Sequence, residues 1–203
     1  MIYEGAPSLK LPALATMMQQ QIEEGYRCLY MNSAPMVAGM RSYLSAMGMN
    51  VAMEIENGRV VFSSEAPDTG NGFDMDVMLA TLEDSLDQAL TDGYKGIWIT
   101  GDMAWEFGGE QNFDKLLAYE WRLEELFRRR PELRGICQYH RDTLPQQALR
   151  QGVLAHQTIF INETLSRINP HYLGSASASE QETRNTELDK AVNELCETGD
   201  TKS

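Results

Sequence analysis

Cysteine is scarce. Cys28, Cys137 and Cys196 are the three in 203 residues, and no two form a CxxC pair. The sequence therefore offers neither a disulfide framework nor the spacing of a structural zinc site. Positive charge is also short, with 17 Lys and Arg against 30 Asp and Glu, a formal net charge of −13. That balance argues against nucleic acid and anionic lipid as partners, because both require a basic face. No apolar run approaches the roughly 20 residues of a membrane span. Met1 leads straight into a strand-like segment without a signal peptide. The expectation is a cytoplasmic protein that binds neither nucleic acid nor membrane. A GxSxG nucleophile elbow, a GxxxxGK[ST] phosphate loop and internal repeats are all absent.

What is present is ordinary globular material. With 42% hydrophobic residues the chain can bury one α/β core. Twelve methionines suit either a plastic pocket or the filling of core gaps. Ile2-Tyr3 reads as a first strand. Leu9 to Glu24 reads as a helix capped by Ser8, with Pro12 tolerated in its first turn. Tyr26 to Met31 is a second strand, a helix runs from about Pro35 to Met47, and Val60 to Ser63 is a third strand. Glu65 to Gly72 is a loop rich in Pro, Gly, Asp and Asn, placed where a lid or a plain connection would lie. Phe73 to Asp92 carries the clearest helical periodicity. Leu144-Pro145 opens a helix to about Ala155, and Thr158 to Ile161 is the last strand, followed by a less regular end. Residues 1–173 read as one domain. Residues 174–203 begin with GSASAS and read as an acidic, mostly disordered tail with a possible short helix.

Gly96 to Arg141 organises the rest. A short apolar run, Ile97 to Thr100, is closed by Gly101-Asp102, a helix spans Phe113 to Arg130, and a second strand spans Gly135 to Tyr139. That order is a βαβ unit, and it implies a three-layer α/β fold with a mostly parallel sheet flanked by helices. Ligands in such sheets bind beyond the carboxyl ends of the strands. Asp102, Met103 and Trp105 fall just past one such end, and Tyr139, His140 and Arg141 at the next. The intervening helix breaks its own pattern. Phe113, Leu116, Leu117, Leu123 and Phe127 share one face, and Glu120 sits in the middle of it. A carboxylate in an apolar stripe must be paired, protonated or in use. It is either a structural ion pair or hydrogen bond, or a pocket carboxylate that meets a ligand or partner.

Other chemistry is weakly marked. Asp102 after four apolar residues has the shape of a strand that holds Mg²⁺ on a nucleotide, but GAPSLKLP after the first strand has no phosphate-loop spacing. His140, His156 and His171 show no HxxxH or HxH arrangement. Cys137 inside an apolar strand reads as an inert thiol. No cofactor, metal or catalytic set is expected.

Several segments together resemble a known family. GDMAW (101–105), YEWRLEEL (119–126), CQYHRDTLP (137–145), INPHYL (168–173) and EEGYRCLYMN (23–32) are similar, in order and spacing, to the MEDS domain, the methanogen/methylotroph DcmR-type sensory domain. The resemblance implies a RecA/KaiC-like fold that has lost its phosphate loop. It implies the sensing of a small organic compound, such as a hydrocarbon derivative, and signalling to kinase or transcription-factor modules. It marks Gly101, Asp102, Trp105, Tyr119, Glu120, Cys137, Gln138 and Tyr139 as pocket candidates. The chain departs from the family in lacking its usual leading His before Ile2-Tyr3. With no kinase or helix-turn-helix module attached, the expected output passes through a separate signalling protein.

The resulting expectation is a non-catalytic sensory domain. Its small organic ligand would be held by Asp102, Trp105, Glu120, Tyr139, Gln138, His140 and Tyr3. The alternatives are a degenerate ATP-binding or ATPase-like protein, with Asp102 and Glu120 in metal and catalytic roles, and a homo-oligomeric interaction module.

Overall fold

The computed structural model describes residues 1–64, 74–103, 113–160 and 166–172. Trp105, the loop of residues 65–72 and the tail of residues 174–203 lie outside the described residues.

Five strands form one all-parallel sheet. They are β1 (Ile2–Tyr3), β2 (Arg27–Met31), β3 (Val60–Ser63), β4 (Ile97–Asp102) and β5 (Leu133–His140), in the spatial order β1-β5-β4-β2-β3. The central strands are apolar on both faces because helices cover both. On one face, α1 (Leu11–Glu23), α2 (Ala34–Ala46) and α3 (Val51–Glu56) pack Leu14, Met18, Met40 and Leu44 against Cys28, Tyr30 and Trp98. On the other, α4 (Met75–Thr91), α5 (Phe113–Arg129) and α6 (Gln146–Ala155) pack Leu82, Leu86, Leu116 and Leu126 against Leu29, Ile97 and Tyr139. The fold is therefore a three-layer α/β arrangement, with two cores separated by the sheet.

The element ends differ from the sequence reading for identifiable reasons. The first helix is split. Pro7–Lys10 forms a 3₁₀ turn and α1 starts only at Leu11, because a proline ring at 12 collides with the carbonyl four residues back in an unbroken α-helix. The strand β4 runs through Gly101 to Asp102, and β5 runs from Leu133 to His140. Asp102 pairs in register with Gln138, and Tyr3 pairs with His140. Pairing on the neighbouring strands overrides the weak strand preference of Gly and Asp. Asp102 and His140 thus end strands and do not lie beyond them. The segment after α6 also departs from the expectation of an irregular end. The strand β6 (Thr158–Phe160) pairs antiparallel with β7 (Ser166–Ile168) in a separate two-stranded sheet. The outer side of β5 pairs with β1 at Tyr139 and His140.

Candidate functional site

Strand alternation decides which candidates meet. Successive side chains of β5 point to opposite faces of the sheet. Gln138 and His140 face the α1 side, whereas Cys137 and Tyr139 face α5 and α6. The expected site residues are consequently divided between two clusters.

The first cluster lies at the carboxyl ends of β1, β4 and β5. The Tyr3 hydroxyl donates to the Asp102 carboxylate. Gln138 Nε2 donates to Thr100 Oγ1 at 2.9 Å, and Thr100 donates on to the Ile136 carbonyl at 2.7 Å. Both ring nitrogens of His140 are engaged. Nε2 lies 2.7 Å from the Gly5 carbonyl and Nδ1 lies 2.8 Å from the Thr143 hydroxyl. Asp102, Gln138 and His140 are all buried. Burial, reinforced by the Asp102 carboxylate, pushes the Tyr3 phenol upward, so it stays a neutral donor. The turn after β1 is tied down as well, with the Gly5 amide donating to Asp142 Oδ2 at 2.9 Å. A carboxylate of the chain itself thus occupies a backbone donor in the segment where a phosphate loop would lie.

The second cluster forms on the other face, around the carboxylate that interrupts the α5 stripe. Leu116, Tyr119, Glu120, Leu123 and Leu126 are all buried, and Glu120 is 1% exposed. The Tyr139 hydroxyl donates to Glu120 Oε1. His156, just past the end of α6, places Nε2 3.6 Å from Glu120 Oε2. The His156 ring stands edge-on to the Tyr139 ring at 5.8 Å. Its Nδ1 lies 2.7 Å from the Gly152 carbonyl. A carbonyl only accepts, so Nδ1 carries a proton and Nε2 is left to face the Glu120 carboxylate. Cys137 completes the group. One donor atom from each of Glu120, Cys137 and His156 lies within 4.8 Å of the others. Burial raises the Glu120 carboxyl above its usual range, and the His156 charge and the Tyr139 hydrogen bond oppose that rise.

Glu120, Cys137 and His156 line a cavity of about 450 Å³. Glu120, Glu124 and Phe127 come from α5, and Gly135 and Cys137 from β5. Gly135 is required there. A Cβ at this position would lie 2.5 Å from the Ile99 carbonyl oxygen and 3.3 Å from the Phe127 ring. Tyr172 closes another side, its hydroxyl donating to Glu124 Oε1 at 2.8 Å. Burial and that carboxylate push the Tyr172 phenol up to about 12. Asn169 pins the segment to α6. Its Nδ2 donates to the carbonyls of Val153 at 2.5 Å and His156 at 2.8 Å.

Of the expected site residues, Glu120 and Tyr139 meet in this cavity cluster. Tyr3, Asp102, Gln138 and His140 meet on the opposite face, and Trp105 lies outside the described residues. His156, Glu124 and Tyr172 were not singled out in the sequence. His156 is 36 positions from Glu120 in the chain, and no local spacing connects them. The motif INPHYL contains Asn169 and Tyr172, but the sequence marks it only as part of the family resemblance and not as a pocket wall.

Comparison with curated proteins finds no match. Residues 2–157 match the family model described as MEDS, the methanogen/methylotroph, DcmR sensory domain. That span holds the whole parallel sheet and all three residues of the Glu120 cluster, and the chain belongs to the MEDS family of sensory domains.

Proposed function

We propose that the chain is a non-catalytic, cytoplasmic input domain that binds a small organic molecule in the cavity between α5, β5 and Tyr172, and signals through a separate kinase or transcription regulator. Family membership supports the sensory role. The observation that carries the ligand site is Glu120, a buried carboxylate on an otherwise apolar helix face that lines a cavity. A volume of about 450 Å³ is within the range of small-molecule sites. Leu123, Phe127 and Leu133 supply apolar wall, and Glu120 and His156 supply a polar anchor. The ligand class that fits is a compact, largely apolar molecule with one polar group. In this reading the Asp102 cluster is a buried network that fixes the carboxyl ends of β1, β4 and β5. A RecA/KaiC-like ancestry without a phosphate loop accords with the parallel sheet and with the filled Gly5 turn. Among the described residues, no helix is long and apolar enough to cross a membrane.

Native mass spectrometry of the purified protein, before and after mild denaturation, tests the proposal. The expected result is a co-purifying organic molecule that is lost in Glu120→Gln and Phe127→Ala variants of unchanged circular dichroism. Co-purifying ADP or ATP would overturn it in favour of the nucleotide reading. Retention of the organic molecule in both variants would overturn the site assignment.

A further inference from the structure

The Glu120 cluster brings three kinds of metal-ligating atom to one point. His156 Nδ1 is committed to the Gly152 carbonyl, which leaves Nε2 to face Glu120. Glu120 Oε2 lies 3.6 Å from that nitrogen. Cys137 brings a sulfur to the same point. A carboxylate oxygen, a thiol sulfur and an imidazole nitrogen thus lie within 4.8 Å of one another.

We propose that Glu120, Cys137 and His156 form a three-ligand site for a thiolate-accepting divalent metal ion of the zinc class, with its open coordination position facing the cavity. The donor set matches the ion. Sulfur and imidazole select zinc-like metals over Mg²⁺ and Ca²⁺, which prefer all-oxygen shells. Bonds of about 2.0–2.3 Å place tetrahedral donors roughly 3.3–3.8 Å apart. The observed spread of up to 4.8 Å closes to that with side-chain shifts of about 1 Å. One thiolate, one carboxylate and a neutral imidazole carry two negative charges, so a divalent ion leaves the buried site neutral.

The surroundings are those of a metal site as well. A ligating histidine normally donates its other ring N–H to a backbone carbonyl or carboxylate, and His156 does so to Gly152. A ligating carboxylate is normally held by a further hydrogen bond, and the Tyr139 hydroxyl holds Glu120. Three protein ligands and one open position form the arrangement of zinc sites that accept a small molecule. The proposal rests on the reading of the cavity as the sensory site, because it gives the open position to the organic ligand. An alkyl compound with a thiol, hydroxyl or carboxylate head would coordinate through that head and bury its chain along Leu123 and Phe127.

The test uses the full chain with Cys196→Ser, so that the tail thiol does not contribute, after treatment with a chelator. Zn²⁺ is titrated by calorimetry and Co²⁺ by absorption. The expected result is one ion per chain and a cobalt–thiolate charge-transfer band in the near ultraviolet. Cys137→Ser abolishes the band. Tyr139→Phe weakens Zn²⁺ by about 10- to 100-fold as an orienting residue, and His156→Gln weakens it by at least as much. His156 is a quarter exposed, so its variant serves if Cys137→Ser fails to fold. Absence of saturable binding, a cobalt spectrum without the thiolate band, or equal affinity in His156→Gln would each overturn the proposal. Binding of organic molecules to the metal-free protein is measured separately. Organic ligand without metal binding sinks the metal site and leaves the sensory reading. Metal binding with the expected variant pattern, and no organic ligand in either form, supports the metal site and sinks the ligand reading.

Discussion

Gly152→Ala is the substitution whose cost the structure sets most directly. Gly152 lies within α6 and is buried against Tyr139. A Cβ there would lie 2.6 Å from both Cε1 and Cζ of the Tyr139 ring, and 3.1 Å from Cδ1. Helix propensity alone favours alanine by roughly 0.5–1 kcal/mol. Overpacking of a filled core costs about 1–3 kcal/mol. The ring cannot retreat cheaply. Tyr139 is 2% exposed, its hydroxyl is bound by Glu120, and His156 stands against its edge. The overpacking cost should therefore win, for a net destabilisation of about 1–2 kcal/mol. Denaturant unfolding measures it, with the slope compared to confirm that only the midpoint moves. A double-mutant cycle isolates the cause: in a Tyr139→Leu background the penalty should shrink toward zero or reverse. An alanine variant as stable as the parent, or a penalty unchanged by Tyr139→Leu, would refute the argument that Gly152 is there to admit the ring.

Two further outcomes follow. Asn169→Ala leaves the Val153 and His156 carbonyls without their donor. It should cost about 1–3 kcal/mol and raise amide exchange across 166–172, while β2 and β4 stay protected; equal protection in parent and variant would show that Asn169 does not pin this segment. The Asp92 carboxyl is held below its ordinary 3.8, chiefly by its hydrogen bond from Arg27 and then by Gln88. Its contribution to stability is present above 3.8 and is lost as pH falls through the depressed folded-state value. The stability gap between the parent and Asp92→Asn should therefore narrow as the pH is lowered from 5, and a gap that stays constant would contradict the pairing.

The parts of the fold set by local pattern could be read in advance. The strand β3 stands out as a short β-branched and aromatic run, β2 as a short apolar run, and α4 as a long periodic stripe. Glu120 was legible for the same reason, since a helix period of 3.6 residues places it among leucines that the core must bury. Strand parity was equally available. Period two puts Gln138 and His140 opposite Tyr139, and it rules out one pocket containing all three on a covered sheet. His156 was not legible. Its contact with Glu120 depends on how α6 crosses β5, and that is set by the close approach at Gly152 and by Asn169 gripping the end of the helix. Strand ends were the least legible, because Asp102 and His140 are held in the sheet by partners distant in sequence.

The two polar clusters on either side of β5 differ in a way that burial alone does not show. Around Asp102 the donors and acceptors match. A tyrosine hydroxyl meets a carboxylate, an amide meets a hydroxyl, and both ring nitrogens of His140 have partners in the Gly5 carbonyl and the Thr143 hydroxyl. Such a network rigidifies a sheet edge and asks for nothing more. Around Glu120 the hydrogen bonds from Tyr139 and to Gly152 engage the outer sides of the carboxylate and the imidazole, and they leave Glu120 Oε2 and His156 Nε2 facing each other beside Cys137. In the proposed function the first cluster stabilises the sheet edge, and the second, which lines a cavity of about 450 Å³, is the one that meets a cation or a ligand head group.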